Sequence, residues 1–198
     1  MTAQAMKQII RPRIITVRQQ MAEGERTRLS YAIAARILNM DAYRTARAAL
    51  AYMNFGAEFA AEVFVRQALR DGKRVLLPKV NRSTNELDIY QVTDLQRDLA
   101  LGMWNISEPL VERCAKVDAL EEIDFILLPG VAFGRNGARL GYGGGFYDKL
   151  LARMRHRPAL VAGAYAMQVV DGIPQEANDR KVEWLITENE TIYCANNE

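Results

Sequence analysis

The chain predicts an α/β layered fold. It reads as a single three-layer domain with a mainly parallel or mixed sheet, helices on both faces and helices at the N-terminus. Three observations carry that reading. Short apolar runs bounded by turn residues alternate with segments whose apolar residues recur every three or four positions, so strands exchange with helices. The first third is helical in pattern. The run Phe125-Ile126-Leu127-Leu128 is stopped by Pro129-Gly130 and leads into a glycine-rich loop and then an amphipathic segment.

Ile14, Val17 and Met21 keep helical spacing; Pro12 suits the first position of their helix, and Gly24 breaks it. Leu29, Ile33 and Ile37 stand four apart on one face of a second helix. Residues 48–53 read as a buried strand ended by the turn-like Asn54-Phe55-Gly56. A helix follows with Ala57, Ala61, Phe64 and Ala68 on one face, ended by Asp71-Gly72. Residues 74–77 form the next strand, stopped by Pro78, and residues 86–92 another, at an edge. Residues 95–109 read as irregular. Residues 125–128 are the central strand, residues 146–154 a helix, and residues 159–164, 184–187 and 191–194 the last strands. In such sheets ligands collect outside the carboxyl ends of strands, so the loops after Met53, Leu77 and Leu128 should converge on one face.

At 198 residues the chain is long enough for one domain with a substantial core. Its net charge is +2, with acids interleaved among the bases, and gives no reason to expect nucleic acid despite a pI of 8.6. The two cysteines, Cys114 and Cys194, lie far apart and outside any metal-binding pattern, so they read as reduced thiols in a cytoplasmic protein. His156 is the single histidine, at what reads as a solvated helix end, which argues against a His-based triad or a multi-His metal site. No 18-residue apolar run exists and the N-terminus lacks a secretory pattern, so neither a membrane span nor a signal peptide is expected.

Gly141, Gly143, Gly144 and Gly145 crowd into five positions, followed by Phe146-Tyr147-Asp148-Lys149-Leu150-Leu151. Glycines let backbone N–H groups approach a phosphate, and the first helical turn adds unpaired donors. Arg139 can add a permanent positive charge. No GxxxxGK[ST] exists, and Phe146 stands where GxGxxG needs its third glycine. On spacing alone the cluster is either an anion site or a tight loop.

The words PGVAFGRNGARLGYGGGFYDKLL resemble the signature of the 5-formyltetrahydrofolate cyclo-ligase (5,10-methenyltetrahydrofolate synthetase) family, of the form PGxxFxxxGxRLGxGxGxYD. The match falls on Pro129, Gly130, Phe133, Gly137, Arg139, Leu140, Gly141, Gly143, Gly145, Tyr147 and Asp148. Lys7 and Arg11 resemble the family's N-terminal KxxxR, with Arg18 where a further arginine usually falls. Gly72-Lys73 through Leu77-Pro78, the WNISEP run at 104–109, and Asn178-Asp179 followed by Thr187 resemble further segments in the family's order. Three positions depart from the pattern: Gly56 stands where the family's EVxT glutamate falls, Gly144 where many members have lysine, and Tyr142 where some have arginine.

The resemblance implies a ligase of one-carbon metabolism that forms a carbon–nitrogen bond. ATP and Mg²⁺ drive cyclisation of 5-formyltetrahydrofolate to 5,10-methenyltetrahydrofolate with release of ADP and phosphate. The formyl oxygen attacks the γ-phosphorus, and N-10 then displaces phosphate from the activated carbon. The protein aligns these groups and neutralises charge rather than supplying a covalent nucleophile. On this reading ATP meets Lys7, Arg11, Arg139, Gly141, Gly143, Gly144, Gly145, Phe146 and Tyr147, with Arg139 and Tyr147 catalytic. The folate, polyglutamylated forms included, meets Met53, Glu58, Trp104, Tyr142 and Tyr147. Asp148 and Asp179 hold Mg²⁺, although Asp148 could instead only complement the helix dipole and Asp179 could be a turn residue. Trp104 is either a pocket wall or a packed plug. No nucleic-acid or membrane partner is implied, and the protein is expected as a monomer or small homo-oligomer. Two other readings share the pattern: a binding protein without turnover, and a sugar-phosphate enzyme of the same architecture.

Overall fold

The structure is a computed structural model and describes residues 2–102 and 105–194. Helices α1 (Ala3–Gln19), α2 (Glu23–Leu38) and α3 (Asp41–Thr45) open the chain. Then come β1 (Ala48–Leu50), α4 (Ala61–Arg70), β2 (Arg74–Asn81), β3 (Glu86–Val92), α5 (Leu95–Asp98), β4 (Leu99–Leu101) and β5 (Ser107–Pro109). The second half holds β6 (Phe125–Leu127), β7 (Ala132–Phe133), β8 (Arg139–Leu140), α6 (Phe146–Arg153), β9 (Ala159–Gly163), β10 (Trp184–Ile186) and β11 (Thr191–Tyr193).

Seven strands form one mixed sheet in the order β11-β10-β9-β6-β1-β2-β3. β10, β9, β6, β1 and β2 run parallel, and antiparallel β3 and β11 close the two edges. Side chains alternate across the pleat. Ala49, Val75, Leu77, Phe125 and Leu127 enter a core with Leu29, Ile33 and Ile37 of α2 and Phe64, Val65 and Ala68 of α4. Leu50, Leu76, Ile126 and Leu128 enter a second core on the opposite face with Leu150 and Leu151 of α6. Because both faces are covered, the parallel strands are apolar where they pair with one another, as at Val75, Leu76 and Leu77 of β2, which is why they read as continuous apolar runs.

The chain lays β1, β2 and β3 outward in one direction, then returns to β6 beside β1 and builds β9, β10 and β11 the other way. The order therefore reverses between β1 and β6, where the loops that leave their carboxyl ends diverge and open a crevice.

Several local expectations change. Pro12 lies inside α1, which begins at Ala3, rather than opening a helix. The missing amide removes one intrahelical bond, but burial of Ile14 and Arg18 holds the continuous helix. Gly24 lies in the first turn of α2, not at a break. β1 ends at Leu50 rather than at Met53, and Ala57 precedes α4 rather than joining it. β2 continues through Pro78 to Asn81. Leu50 pairs with Leu76, so beyond β1 the strand is paired only with β3, where proline is tolerated. The segment after Thr93 holds α5 and the β4–β5 hairpin. There Asp98 caps and is capped: its carboxylate accepts from the Thr93 and Asp94 amides and from Arg97. His156 is half-buried, its Nε2 lying 2.7 Å from the Ile123 carbonyl oxygen.

Candidate active site

The loops after β1 and β6 do converge, and they meet Leu77 and Pro78 within β2, which runs on to Asn81 instead of leaving a loop after Leu77. Tyr52, Met53, Phe55, Glu58, Leu77, Pro78 and Pro129 line one cavity of about 1070 Å³, closed on a second side by α1 and on a third by the glycine loop. This is the crevice the strand order requires, and its volume exceeds the usual space for one drug-sized ligand. Its lining falls into two sets: charged residues hydrogen-bonded to one another or to the glycine loop (Lys7, Arg11, Arg139, Asp148, Glu176 and Asp179), and apolar residues (Met53, Phe55, Leu77, Pro78, Val80, Leu87 and Ile106).

The glycine loop leaves β8 and ends as the N-terminus of α6. Gly145 caps α6 at φ +65° and Gly143 sits at φ +107°, conformations that side chains on either residue would strain. Gly144 has a different constraint: a Cβ there would lie 2.6 Å from the Phe146 ring. Glycine at 144 and phenylalanine at 146 therefore go together. Arg11 of α1 holds the loop from below, donating from Nε to the Gly141 carbonyl at 2.7 Å.

α1 carries the cations because Lys7, Arg11, Ile14 and Arg18 repeat at helical spacing on one face. Lys7 is buried and bridges to the loop near the C-terminus, with Nζ at 2.6 Å from Asp179 and 3.1 Å from Glu176. Burial works against its charge, but these two carboxylates outweigh it and push the ammonium pKa up. Burial likewise pushes Asp179 up, while the Lys7 hydrogen bond and the Glu176 amide hold it below the usual carboxylate range. Arg139 is 8% exposed; its Nη2 donates to Asp148 at 2.7 Å, its Nη1 to the Pro129 carbonyl at 3.2 Å, and its guanidinium lies 6.0 Å from the centre of the Tyr147 ring. Asp148, in the first turn of α6, also accepts from the Arg180 amide.

At the seam between the two sets lies a chain of hydrogen bonds. Arg18 donates from Nη2 to the Tyr142 hydroxyl at 2.7 Å, and Tyr142 donates to Glu58 Oε1 at 2.6 Å. The Phe55 amide donates to Glu58 Oε2 at 3.0 Å. Burial pushes the Glu58 carboxyl up despite these donors and nearby Arg18. Burial also raises the phenols of Tyr52, Tyr142 and Tyr147, which stay protonated near neutral pH. Two further Arg18 nitrogens, Nε and Nη1, are buried without a partner among the described residues.

The sequence candidates Lys7, Arg11, Met53, Glu58, Arg139, Gly141, Tyr142, Gly143, Gly144, Gly145, Phe146, Tyr147, Asp148 and Asp179 all line this cavity. Trp104 lies outside the described residues. The sequence reading assigned no role to Arg18, Tyr52 or Glu176. Arg18 was legible: positions 7, 11, 14 and 18 share a face of one uninterrupted helix, which placing Pro12 at a helix start conceals. Tyr52 and Glu176 carry no such pattern.

Whether the residues fit a magnesium ion can be tested on the carboxylates. Asp148 and Asp179 each use one oxygen in an ion pair, and each presents a second carboxylate oxygen with no hydrogen-bond donor among the described residues. No group of three or more His, Cys, Asp or Glu residues able to hold a metal exists among the described residues. Two carboxylates beside a glycine loop, without a full protein cage, would suit Mg²⁺ that takes its remaining oxygens from phosphate and water.

The model of the 5-formyltetrahydrofolate cyclo-ligase family matches residues 3–188. The chain belongs to that family. The 5-formyltetrahydrofolate cyclo-ligase of Escherichia coli (strain K12) is 29% identical over 178 residues, which cover 89% of this chain and 94% of the relative. The enzyme of the same name from Mus musculus is 26% identical over 196 residues, covering 95% and 96%. Among solved structures, the NMR structure of Aquifex aeolicus 5,10-methenyltetrahydrofolate synthetase superposes with a TM-score of 0.83 at 31% identity, covering 97% of this chain and 94% of that one. The α/β architecture is thus that of the cyclo-ligases, and no helix among the described residues is long and apolar enough to cross a membrane.

Proposed function

We propose that the chain is an ATP- and Mg²⁺-dependent ligase that cyclises 5-formyltetrahydrofolate to 5,10-methenyltetrahydrofolate, releasing ADP and phosphate. The observation that carries this reading is the two-part cavity of a cyclo-ligase family member. A glycine loop with three cations adjoins an apolar, tyrosine-rich half. The polar half suits a triphosphate: Lys7, Arg11 and Arg139 supply charge, and the amides of Gly141, Gly143, Gly144 and Gly145 supply donors. The apolar half suits a flat heterocycle, with Met53, Phe55 and Tyr142 as walls; the Phe55 and Tyr142 ring centres are 5.2 Å apart.

Lys7 and Arg139 are each paired with a carboxylate in the ligand-free protein. A triphosphate arriving with its cation can exchange these pairs, the phosphates taking Lys7 and Arg139 while Asp148 and Asp179 turn to Mg²⁺. When bound, the metal supplies charge neutralisation between phosphate oxygens. Lys7, Arg139, Asp148 and Asp179 would then each keep a partner of opposite charge throughout, which limits the cost of desolvation. Arg139, its guanidinium over the Tyr147 ring at 6.0 Å from the centre, and Tyr147 are the residues this reading assigns to phosphoryl transfer.

Two buried free thiols support a reducing, cytoplasmic compartment. The working unit is a single domain, as a monomer or small homo-oligomer, that takes folate with or without a polyglutamate tail. The test is direct. Incubation with 5-formyltetrahydrofolate and Mg-ATP should raise methenyltetrahydrofolate absorbance, with one ADP formed per ring closed. ADP formed rapidly without folate, and no methenyl absorbance with it, would favour a different ATP-consuming reaction.

A further inference from the structure

Closing the ring requires more than an activated formyl carbon. N-10 enters carrying a hydrogen and leaves without one, so its proton needs an acceptor inside a cavity that keeps water from the activated carbon. Five carboxylates line the cavity: Glu58, Glu108, Asp148, Glu176 and Asp179. Four of them face a cation, Asp148 with Arg139, Glu176 and Asp179 with Lys7, and Glu108 with Lys79 at 3.4 Å. Those four are already engaged by a cation. No cysteine or histidine lines the cavity among the described residues.

Glu58 is the exception. It is 6% exposed and forms no ion pair among the described residues. It also sits at the seam between the halves, since its Oε1 accepts from Tyr142, the residue between Gly141 and Gly143 of the anion loop. The reaction must occur at that seam, where the triphosphate and the heterocycle meet. We propose that Glu58, held in place by Tyr142 and Arg18, is the general base that receives the N-10 proton during ring closure.

This rests on the cyclo-ligase reading and deepens it. The N-10 lone pair forms the new bond to the formyl-derived carbon while the N-10 proton passes to the Glu58 carboxylate. The N-5 lone pair then expels the phosphate by breaking the carbon–oxygen bond, which leaves the methenyl cation. Protonated Glu58 returns its proton to water when product departs. The groups facing Glu58 are consistent with the task. Tyr142 and the Phe55 amide hold its two oxygens, Tyr165 donates to its backbone carbonyl at 3.0 Å, and Tyr52 and Tyr147 are neutral phenols nearby. Arg18 is the one cation acting on it, through Tyr142 as well as through space. Burial keeps the carboxyl's proton affinity above that of an ordinary glutamate, closer to neutrality, where a general base is most effective.

Glu58→Gln keeps the shape and removes the base. Single-turnover reactions with Mg-ATP and 5-formyltetrahydrofolate should lose roughly 100-fold or more in methenyl formation. Folate-dependent ADP formation should persist, so more than one ADP appears per ring closed. In the wild type kcat should fall as pH drops through the Glu58 pKa, and E58Q should lose that acid limb. One ADP per ring, with only the folate KM raised and the limb intact, would overturn the base and make Glu58 an anchor for the heterocycle. Should E58Q not fold, Tyr142→Phe reads the same device: losing a donor to the carboxylate should move the acid limb to higher pH, and an unmoved limb would overturn the proposal. A wild-type chain that forms no methenyltetrahydrofolate would refute the parent reading instead.

Discussion

Asp148→Asn separates the observed role of the Asp148 carboxylate, partner of Arg139, from its proposed one, ligand of Mg²⁺. Arg139 Nη2 lies 2.7 Å from Asp148 Oδ1, and the two side chains are 4% and 23% exposed. Removing one member of a buried pair costs about 3–5 kcal/mol. Asparagine keeps an acceptor and Asp148 is partly solvated, so about 1–3 kcal/mol is expected here. At about 2–4 °C per kcal/mol for a chain of this size, Tm should fall by about 2–12 °C. Free ATP should respond in the opposite direction. A carboxylate about 5 Å from a phosphate charge costs roughly 3 kcal/mol at an effective dielectric of 20, and solvent screening leaves about half. Metal-free ATP should therefore bind on the order of tenfold tighter in the variant. Saturation near 100 times Kd should return about 2.7 kcal/mol of stability. Turnover should fall about 100-fold or more, and the Mg²⁺ concentration for half-maximal rate should rise. Thermal melts with and without ATP, ATP titrations in a chelator, and initial rates against Mg²⁺ read these effects. An unchanged Mg²⁺ midpoint together with unchanged free-ATP affinity would refute the metal-ligand assignment and leave Asp148 a structural partner of Arg139.

Arg139→Ala should lower turnover by about 100-fold or more, and Arg139→Lys should recover only part, because lysine cannot make a two-pronged phosphate contact; steady-state kinetics on folded protein decide, and a near-normal alanine variant would place Arg139 outside the reaction. The Lys7 latch should open with acid. Asp179 is depressed in the fold, so its contribution is present above the unfolded pKa and lost as pH falls through the folded one, whereas the raised Lys7 loses its contribution only as pH rises through its own folded pKa in strong alkali. Hydrogen exchange should show α1 losing protection before α2 as pH drops from 6 toward 3, and equal protection throughout would count against the latch. Gly144→Ala and Gly145→Ala should fail for different reasons: the first meets the Phe146 ring, and the second, with open space around it, costs only about 1–2 kcal/mol of left-handed strain. Phe146→Ala should rescue Gly144→Ala and not Gly145→Ala in melting experiments; equal rescue would show that both substitutions act through the backbone.

The layered fold, and the glycine loop that precedes α6, were legible in the chain. Buried parallel strands must be apolar on both faces, so β1, β2 and β6 announced themselves as runs, and α6 followed from the periodicity after Gly145. Cys114, Cys194 and His156 excluded the zinc and triad classes by their scarcity, and the PGVAFGRNGARLGYGGGFYD run named the family. Local punctuation misled where tertiary packing overrode it. Pro12 and Pro78 read as boundaries, but burial along α1 and pairing of β2 with β3 carried both elements past them. The reading of Pro12 as a helix start also left Arg18 off the face it shares with Lys7 and Arg11, although the family pattern had marked it.

Only the tertiary structure decided which charges meet. Lys7 reaches Asp179 across 172 positions and Tyr142 reaches Glu58 across 84, separations that no helical or strand period spans. Which carboxylates are paired with cations, and that Glu58 is not, depends on how α1, the β1 loop and the glycine loop fold over one crevice. Charge pairing is a property of distance in space and of burial, and neither is written in the local pattern of a chain.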